Sequence, residues 1–401
     1  MHQPASELQT ATRLTHAGRK GKEHHGPVNP PVVRASTMLF PDCAALQDAN
    51  GTRRSYARHA TETTLALEQA LCAAEGAAAC MLTSSGLSAI TTTLLALLKP
   101  GDHLLMVDTA YDPTRQFCDG LLKQIGVNTT YYDPLIGAGI AALMQPETKV
   151  IFVESPGSLT FEVQDVPAIA AVAHAAGAVV VADSTWATPI GWDSFALGID
   201  VSIHAATKYI VGHSDALMGA ILTNEALHLR IRNTYKQLGM SVGGDDAALA
   251  LRGLRTMAAR LAVHRDSAQV VAKWLQAQPE VAEVLYPPLA GAAGHTLWKR
   301  DFRAEYACGL MGAVFHSGVT EAQVAALIDR TALFGIGYSW GGYESLILPT
   351  RPAGYRTINA EKWNVPMIRL HVGLEAVEDL ITDLDAGFSA LRASACTARA
   401  A

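Results

Sequence analysis

The strongest local signal in the sequence is DVSIHAATKYIVGHS, residues 200–214. Its apolar beginning, 201–204, predicts a buried β-strand, and Lys208 follows at the carboxyl end of that strand. Thr207 precedes this lysine and Gly212 follows it. A lysine amine held near an aldehyde cofactor, in a pocket that limits water, can form a Schiff base with it. Most lysines lie on protein surfaces, so the stretch needs support from its surroundings.

Other short apolar runs recur between helical segments, at 103–107, 150–154 and 178–182. Runs that are apolar throughout, and that helices separate, are typical of a mainly parallel sheet covered on both faces. Ligands of such sheets bind beyond the carboxyl ends of the strands. The residues directly after each run are therefore the candidates for chemistry.

The pattern divides the chain into three parts. Residues 1–60 are rich in Pro, Gly and His and predict an extended arm, wrapped over the rest of the chain or over a neighbouring subunit. Residues 61–255 contain the predicted parallel sheet. Residues 256–401 predict a smaller α+β domain, because helical segments there alternate with apolar runs at 312–316 and 367–372.

The start of the second part carries a candidate phosphate site. The pattern predicts a helix over 64–75, a strand over 78–82 and a second helix that runs to residue 98. Ser84-Ser85-Gly86-Leu87 opens this second helix. A glycine-containing turn at a helix N-terminus presents free N–H groups and the positive end of the helix dipole, which suit a phosphate. N-capping by Ser84 or Ser85 explains the turn equally well, and one turn can do both.

The bulk composition argues against several classes of function. The chain has 401 residues, of which 49% are hydrophobic and 17% charged, as in a compact protein with room for two domains. Its net charge of −6, without a long Lys/Arg block, argues against nucleic acid and an anionic membrane surface as partners. No segment predicts a membrane span or a signal core, and scattered cysteines favour reduced thiols in the cytosol. Neither cysteines nor histidines have metal-binding spacing, so no metal is expected.

Two further residues follow predicted strands. Asp183 ends an apolar run 25 residues before Lys208, where a carboxylate can hold a pyridine nitrogen protonated. A protonated ring is what makes pyridoxal 5′-phosphate (PLP) an electron sink. Tyr111 follows the run at 103–107, where an aromatic ring can stack on a flat cofactor. Taken alone, Asp183 fits a cap or turn acid as well, and Tyr111 fits a half-buried loop residue.

Residues 200–214 resemble, throughout their length, the segment around the PLP lysine in the Cys/Met-metabolism family of PLP-dependent enzymes. The resemblance extends from about residue 15 to residue 391. It implies the PLP-dependent transferase-like fold of the aspartate aminotransferases (fold type I), an α/β architecture with a large, mainly parallel-sheet domain and a smaller α+β C-terminal domain. The landmarks in order are Tyr56, Arg58, Ser85, Gly86, Tyr111, Asp183, Thr207, Lys208, Ser339 and Arg369.

The resemblance implies a role for each of these residues. Lys208 forms the Schiff base with PLP and then moves protons at the substrate, Tyr111 stacks over the ring, and Asp183 pairs with the ring nitrogen. Arg369 holds the substrate carboxylate as a two-pronged clamp. The implied phosphate ligands are Gly86, Leu87 and Thr207, joined from an adjacent subunit by Tyr56 and Arg58.

Residues 338–345, Tyr-Ser-Trp-Gly-Gly-Tyr-Glu-Ser, resemble the β-lyase branch of the family. The γ-lyases and γ-synthases usually have Ser-Leu-Gly-Gly where this chain has Ser-Trp-Gly-Gly. Segments 110–113 and 154–158 fit the same branch. The resemblance therefore implies a substrate-binding group of Tyr338, Ser339, Trp340 and Arg369.

The activity that this branch implies is carbon–sulfur β-elimination of L-cystathionine to homocysteine, pyruvate and ammonia. A broader lyase for cystine and other cysteine conjugates is the first alternative, and a γ-lyase is the next. A regulatory or binding protein with vestigial activity is the alternative from another class, but pure binding does not need a proton-moving lysine. The resemblance also implies a cytoplasmic homotetramer built from two catalytic dimers.

The sequence departs from the family pattern at two places. Residues 60–63 read Ala-Thr-Glu-Thr where many relatives have Gly-Asn-Pro-Thr. Ala205 stands where many relatives have a serine that adds to the phosphate cup. Both departures lie beside the expected cofactor site.

Overall fold

The computed structural model describes residues 8–19, 25–50, 52–53 and 55–399, which form two β-sheets and the helices packed against them. The strands are β1 (Ala79–Thr83), β2 (His103–Val107), β3 (Asn128–Tyr132), β4 (Thr148–Glu154), β5 (Val179–Asp183), β6 (Val201–His204), β7 (Gly219–Thr223), β8 (Val281–Leu285), β9 (Leu310–Phe315), β10 (Gly335–Ile336), β11 (Leu346–Thr350) and β12 (Met367–His371).

The helices precede, separate and follow these strands. They are α1 (Thr10–His16), α2 (Cys43–Ala49), α3 (Glu62–Glu75), α4 (Gly86–Leu97), α5 (Asp112–Phe117), α6 (Val166–Ala175), α7 (Thr188–Gly191), α8 (Glu225–Gln237), α9 (Gly244–Gln276), α10 (His295–Asp301), α11 (Glu321–Arg330) and α12 (Val377–Arg399). Short π- and 3₁₀-helical segments lie at Cys118–Leu122, Gly137–Leu143, Ala304–Tyr306, Pro352–Gly354 and Ala360–Trp363.

The first sheet has seven strands in the order β1-β7-β6-β5-β4-β2-β3. Strands β3, β2, β4, β5 and β6 run parallel, and β7 runs antiparallel to both of its neighbours. Every residue of β2 and β6 is buried, as expected for strands with helices on both faces. The predicted mainly parallel sheet is therefore confirmed.

Local capping explains where the two predicted N-terminal helices begin. Helix α3 begins at Glu62, two residues before the predicted start, because the Thr61 hydroxyl accepts the N–H of Thr64 in a capping box. Helix α4 begins at Gly86, and the Ser85 hydroxyl accepts the N–H of Ser88 at 3.1 Å. Ser85 is therefore an N-cap, as one of the two explanations for this turn required.

The second sheet has the order β10-β11-β12-β9-β8 and is antiparallel except between β10 and β11. Together with α11 and α12 it forms the α+β part predicted for the C-terminal region. The 33-residue helix α9 runs through position 256. The division of the chain at that residue, and with it the three-part division, stays a prediction.

The N-terminal part is less extended than the sequence pattern predicted, because α1 and α2 form within it. Asp42 accepts the N–H of Ala45 at 2.8 Å, which gives α2 an N-cap. Residues 1–7, 20–24, 51 and 54 of the predicted arm lie outside the described residues. The predicted contact of the arm with a neighbouring subunit stays a prediction.

A buried charge cluster joins the end of β2 to the C-terminal region. Asp108 accepts hydrogen bonds from Arg115 at 2.9 Å and Arg356 at 2.6 Å, and from the backbone N–H of Thr357 at 3.0 Å. Burial opposes ionisation of Asp108, but the hydrogen bonds from Thr357 and Arg356 outweigh it and lower the pKa. Since an unpaired buried charge is costly, this network holds the loop around Arg356 against the large sheet.

Candidate active site

A cavity of about 270 Å³ lies beyond the carboxyl ends of β4, β5 and β6. Such a crevice is where parallel α/β sheets bind ligands. Most of the predicted site residues line it: Gly86, Leu87, Tyr111, Asp183, Thr207, Lys208, Tyr338, Ser339, Trp340 and Arg369. Tyr56 and Arg58 are not part of its lining.

The Lys208 amine points into this cavity and is held there by the C-terminal region. Its Nζ donates a hydrogen bond to Ser339 Oγ at 2.6 Å and lies 5.3 Å from the centroid of the Trp340 ring. Burial lowers the pKa of Lys208 to about 8, and the nearby Arg369 cation lowers it further than Asp183 raises it. Burial and a like charge both disfavour the ammonium form. The amine is therefore close to its titration point near neutral pH, as a general base requires.

Two carboxyl groups lie side by side at this edge of the sheet. Glu154 ends β4 and pairs in register with Asp183, which ends β5. Asp183 accepts hydrogen bonds from the N–H of Thr185 at 3.0 Å and from its hydroxyl. Burial raises the pKa of Asp183, while Thr185, His204 and Lys208 all favour its anion.

Glu154 has weaker support for a negative charge. Burial and the neighbouring Asp183 raise its pKa well above the usual range, and only the Tyr111 N–H, which it accepts at 2.8 Å, acts in the other direction. Two adjacent carboxylates cannot both ionise easily, so Asp183 is the favoured anion of the pair. The sequence analysis used Glu154 only as part of the segment that resembles the β-lyase branch. Glu154 could have been identified as a site residue in the same way as Asp183, because both lie at the end of an apolar strand.

The N-terminus of α4 approaches the loop after β6 very closely. A Cβ on Gly86 would lie 2.5 Å from the Ala205 Cβ and 2.9 Å from its Cα, so a larger residue than glycine does not fit there. The first N–H groups of a helix have no partner within the helix and suit an anion. These groups, together with Lys208 and Asp183, fit a phosphorylated pyridine aldehyde.

The Thr207 side chain makes two hydrogen bonds to the backbone of Met218. Its hydroxyl donates to the Met218 carbonyl at 3.1 Å and accepts the Met218 N–H at 2.9 Å. The side chain thus ties the Lys208 loop to the start of β7. Its contact with a phosphate stays a prediction.

The mouth of the cavity combines aromatic rings and a cation. Tyr111 is 45% exposed and Tyr338 is 91% exposed, so both rings are accessible from solvent. Arg369 on β12 donates from Nη2 to the Ser339 carbonyl at 2.9 Å, and burial lowers its pKa. Sequence reasoning missed Tyr355, whose buried hydroxyl has no hydrogen-bond partner among the described residues and acts electrostatically on Arg369.

A buried lysine, an acid at a strand end and a helix N-terminus around one cavity define the site of a PLP enzyme with the aspartate aminotransferase fold. The family model described as Cys/Met metabolism PLP-dependent enzyme matches residues 11–389. The chain belongs to this family.

Several relatives named cystathionine β-lyase are 40–43% identical to the chain, and one named putative cystathionine β-lyase, from Rhizobium johnstonii, is 46% identical. That of Escherichia coli K12 is 43% identical, over 94% of this chain and 98% of the relative. An L-alanine/L-glutamate racemase of Wolbachia pipientis wMel is 37% identical, over 94% and 95%. The structure of cystathionine γ-synthase from Xanthomonas oryzae pv. oryzae superposes with a TM-score of 0.87 at 32% identity, over 96% and 99%. The family thus contains more than one reaction.

The part of the chain that the structure describes contains neither a metal site nor a membrane-spanning helix. No group of His, Cys, Asp and Glu there has the arrangement of a metal site. No helix among the described residues is long and apolar enough to cross a membrane.

The pKa of Lys208 can be measured in protein stripped of PLP. We expect competitive acetylation of Lys208 by acetic anhydride, quantified by mass spectrometry, to increase as the pH rises through about 8, because only the neutral amine reacts. An ordinary lysine titrates near 10.4. The exposed Lys123 serves as an internal reference for the reagent. A Lys208 midpoint above about 10 would contradict the effect of burial.

Proposed function

We propose that this enzyme uses PLP to cleave L-cystathionine by β-elimination into homocysteine, pyruvate and ammonia. The observation that carries the proposal is the arrangement of Lys208, Ser339 and Trp340 in one cavity, at the segment typical of the β-lyase branch. Relatives with the β-lyase name at 40–46% identity support the same assignment.

The residues around the cavity fit each part of the cofactor. Asp183 would hold the ring nitrogen protonated, since it is the better supported anion of the carboxyl pair. Gly86, Leu87 and Thr207 would hold the phosphate at the start of α4. When bound, PLP supplies a protonated ring that accepts the electron pair left at Cα as its proton departs.

Lys208 would accept the Cα proton of the substrate. Its amine titrates near neutral pH because it is buried, and Ser339 fixes its direction through the 2.6 Å hydrogen bond. Arg369 would bind the substrate carboxylate and so orient Cα toward this amine. The electron pair at Cα would then form the Cα–Cβ double bond as the bond between Cβ and sulfur breaks, and the sulfur would leave with the electron pair of that bond and take up a proton as homocysteine. Water would hydrolyse the released 2-aminoacrylate to pyruvate and ammonia.

A product assay separates this proposal from its alternatives. With L-cystathionine we expect pyruvate and homocysteine in equal amounts, measured by chromatography, because the bond that breaks lies at Cβ. The Lys208→Ala variant should lose almost all turnover. Production of 2-oxobutyrate and cysteine would show γ-elimination and overturn the proposal, and efficient cleavage of cystine alone would favour the broader lyase.

Replacement of Arg369 by lysine tests carboxylate binding. Arg369→Lys keeps the positive charge but loses the planar fork, and with it one contact to Ser339. We expect KM to rise by about tenfold or more, equivalent to about 1.5 kcal/mol for a lost charged hydrogen bond, while the visible absorbance of bound PLP persists. Normal saturation by substrate in this variant would mean that the carboxylate is bound elsewhere.

We further propose a cytoplasmic homotetramer of two catalytic dimers, in which Tyr56 and Arg58 complete the site of the neighbouring subunit. Both side chains are exposed and lie outside the lining of their own chain's cavity. The Arg58 guanidinium lies 5.9 Å from the centroid of the Tyr56 ring, so the two form one patch. An exposed arginine beside an aromatic ring suits a phosphate contributed by another chain.

Subunit mixing tests this sharing. Arg58→Ala and Lys208→Ala proteins, each nearly inactive alone, should regain activity after they are unfolded and refolded together. A mixed dimer places both lesions in one site and leaves the other site intact. If verified mixed dimers remain inactive, Arg58 serves its own chain.

A further inference from the structure

The turn formed by residues 339–342 closes the cavity over the Lys208 amine. Ser339 has a φ of +94°, a left-handed conformation that costs free energy for a non-glycine residue. Gly341 has a φ of +87°, and a Cβ on it would lie 2.9 Å from both the Lys208 carbonyl carbon and the Tyr209 nitrogen. The turn is therefore pressed against the lysine backbone and needs surrounding contacts to keep its shape.

Two side chains of strand β12 supply such contacts. Arg369 and His371 are two residues apart, so they project from the same face of the strand. Arg369 donates to the Ser339 carbonyl, at the beginning of the turn. The His371 Nε2 lies 3.2 Å from the Gly341 nitrogen and 3.1 Å from the Gly342 carbonyl oxygen, at its end.

His371 binds the turn in either neutral tautomer. With its hydrogen on Nδ1, Nε2 accepts the N–H of Gly341; with its hydrogen on Nε2, it donates to the Gly342 carbonyl. Burial, with the neighbouring His264, lowers the pKa of His371 to about 3. The ring therefore stays neutral at physiological pH and does not switch these contacts off.

An aromatic layer connects His371 to Trp340. The Tyr209 ring centroid lies 5.8 Å from that of His371 and 5.7 Å from that of Trp340. The Tyr209 hydroxyl lies 3.4 Å from His371 Nδ1 and accepts the Gly309 N–H at 2.8 Å. His371 is fully buried and does not line the cavity, so it acts one layer behind the indole.

We propose that His371 is a positioning residue that sets substrate selectivity, because it fixes the 339–342 turn and thereby the Trp340 indole on the substrate side of the cavity. The proposal rests on the proposed function for the identity of the substrate. Binding of the substrate arm beyond the sulfur atom should depend on His371. Lys208 and Arg369 would instead contact the Cα proton and the carboxylate at the reacting end. Substrates with a long, polar arm should therefore depend on His371 more than substrates with a short one.

The test compares two substrates of the holoenzyme that share the reacting atoms. L-Cystathionine carries an amino-acid arm on its sulfur, whereas S-methyl-L-cysteine carries only a methyl group. In His371→Leu, which keeps a similar volume but loses the ring nitrogen that bonds the turn, we expect kcat/KM for L-cystathionine divided by kcat/KM for S-methyl-L-cysteine to fall about five- to tenfold. In His371→Gln, which retains a donor and an acceptor, most of the ratio should return.

His264→Leu is the matched control. His264 is buried in the same layer, 5.3 Å from the His371 ring, but its Nδ1 bonds the Val372 carbonyl rather than the turn. Its loss should lower thermal stability and leave the ratio within about twofold of wild type. The proposal is overturned if His371→Leu lowers kcat/KM equally for both substrates, or if the ratio of the two values falls as far in His264→Leu. Either result would mean that His371 has only a structural role.

A double-mutant cycle tests whether His371 acts through Trp340. In a Trp340→Leu background, His371→Leu should change the ratio by no more than about twofold, because coupled residues have non-additive effects. If the full effect of His371→Leu persists without the indole, the route through Trp340 is wrong.

Near-ultraviolet circular dichroism separates failure of this inference from failure of the proposed function. The Trp340 contribution, measured as the difference between each protein and its Trp340→Leu derivative, should weaken in His371→Leu and return in His371→Gln, without any turnover. If wild type does not cleave L-cystathionine, the proposed function fails and this signal still decides the inference. An unchanged signal in His371→Leu overturns the inference whatever the substrate.

Discussion

The parallel pairing of β2, β4, β5 and β6 is the constraint on which the site depends. Parallel strands end at one edge of the sheet, so residues far apart in the chain meet there. Glu154 and Asp183 are the last residues of adjacent strands. Tyr111 is the fourth residue after the end of β2, and Lys208 is the fourth residue after the end of β6. Ser339, Trp340 and Arg369 of the C-terminal region line the cavity at this edge, and burial there then affects which of its ionisable groups carry charge.

Burial disfavours the charged forms of Lys208, Asp183 and Glu154 alike, but their neighbours differ and so favour charge to different extents. Among the residues that the structure describes, no carboxylate is in hydrogen-bond contact with Lys208, and burial lowers its pKa to about 8. Asp183 has the Thr185 hydroxyl and two nearby cationic or imidazole groups, whereas Glu154 has a single backbone N–H. One site therefore offers an amine that loses its proton more easily than an ordinary lysine, a favoured anion and a carboxyl group biased toward its protonated form, which is the separation of roles that acid–base chemistry at one pH requires.

The sequence predicted what depends on local pattern. The strands at 103–107 and 201–204 have the predicted bounds, and the residues expected after them line the cavity, because continuous apolar runs and strand ends can be recognised without tertiary information. The layer of Tyr209, His371 and Trp340 was not predicted, since its members come from separate segments and meet only through packing. The same reason hid the contact between Asp108 and Arg356. Partners of Tyr56 and Arg58 on another chain stay a prediction.

In the proposed function, Arg369 would link substrate recognition to proton transfer through a short chain of contacts. Its guanidinium donates a hydrogen bond to the Ser339 carbonyl, and the hydroxyl of the same serine accepts a hydrogen bond from the Lys208 amine. Its charge is also the second cause, after burial, of the lowered pKa of Lys208. A substrate carboxylate on Arg369 would offset that charge, and Coulomb's law then raises the proton affinity of the amine at the moment when a Cα proton is to be accepted. Binding at the carboxylate end would in this way strengthen the base, whereas without substrate the lowered pKa would let the amine lose its proton more easily and react with the cofactor aldehyde.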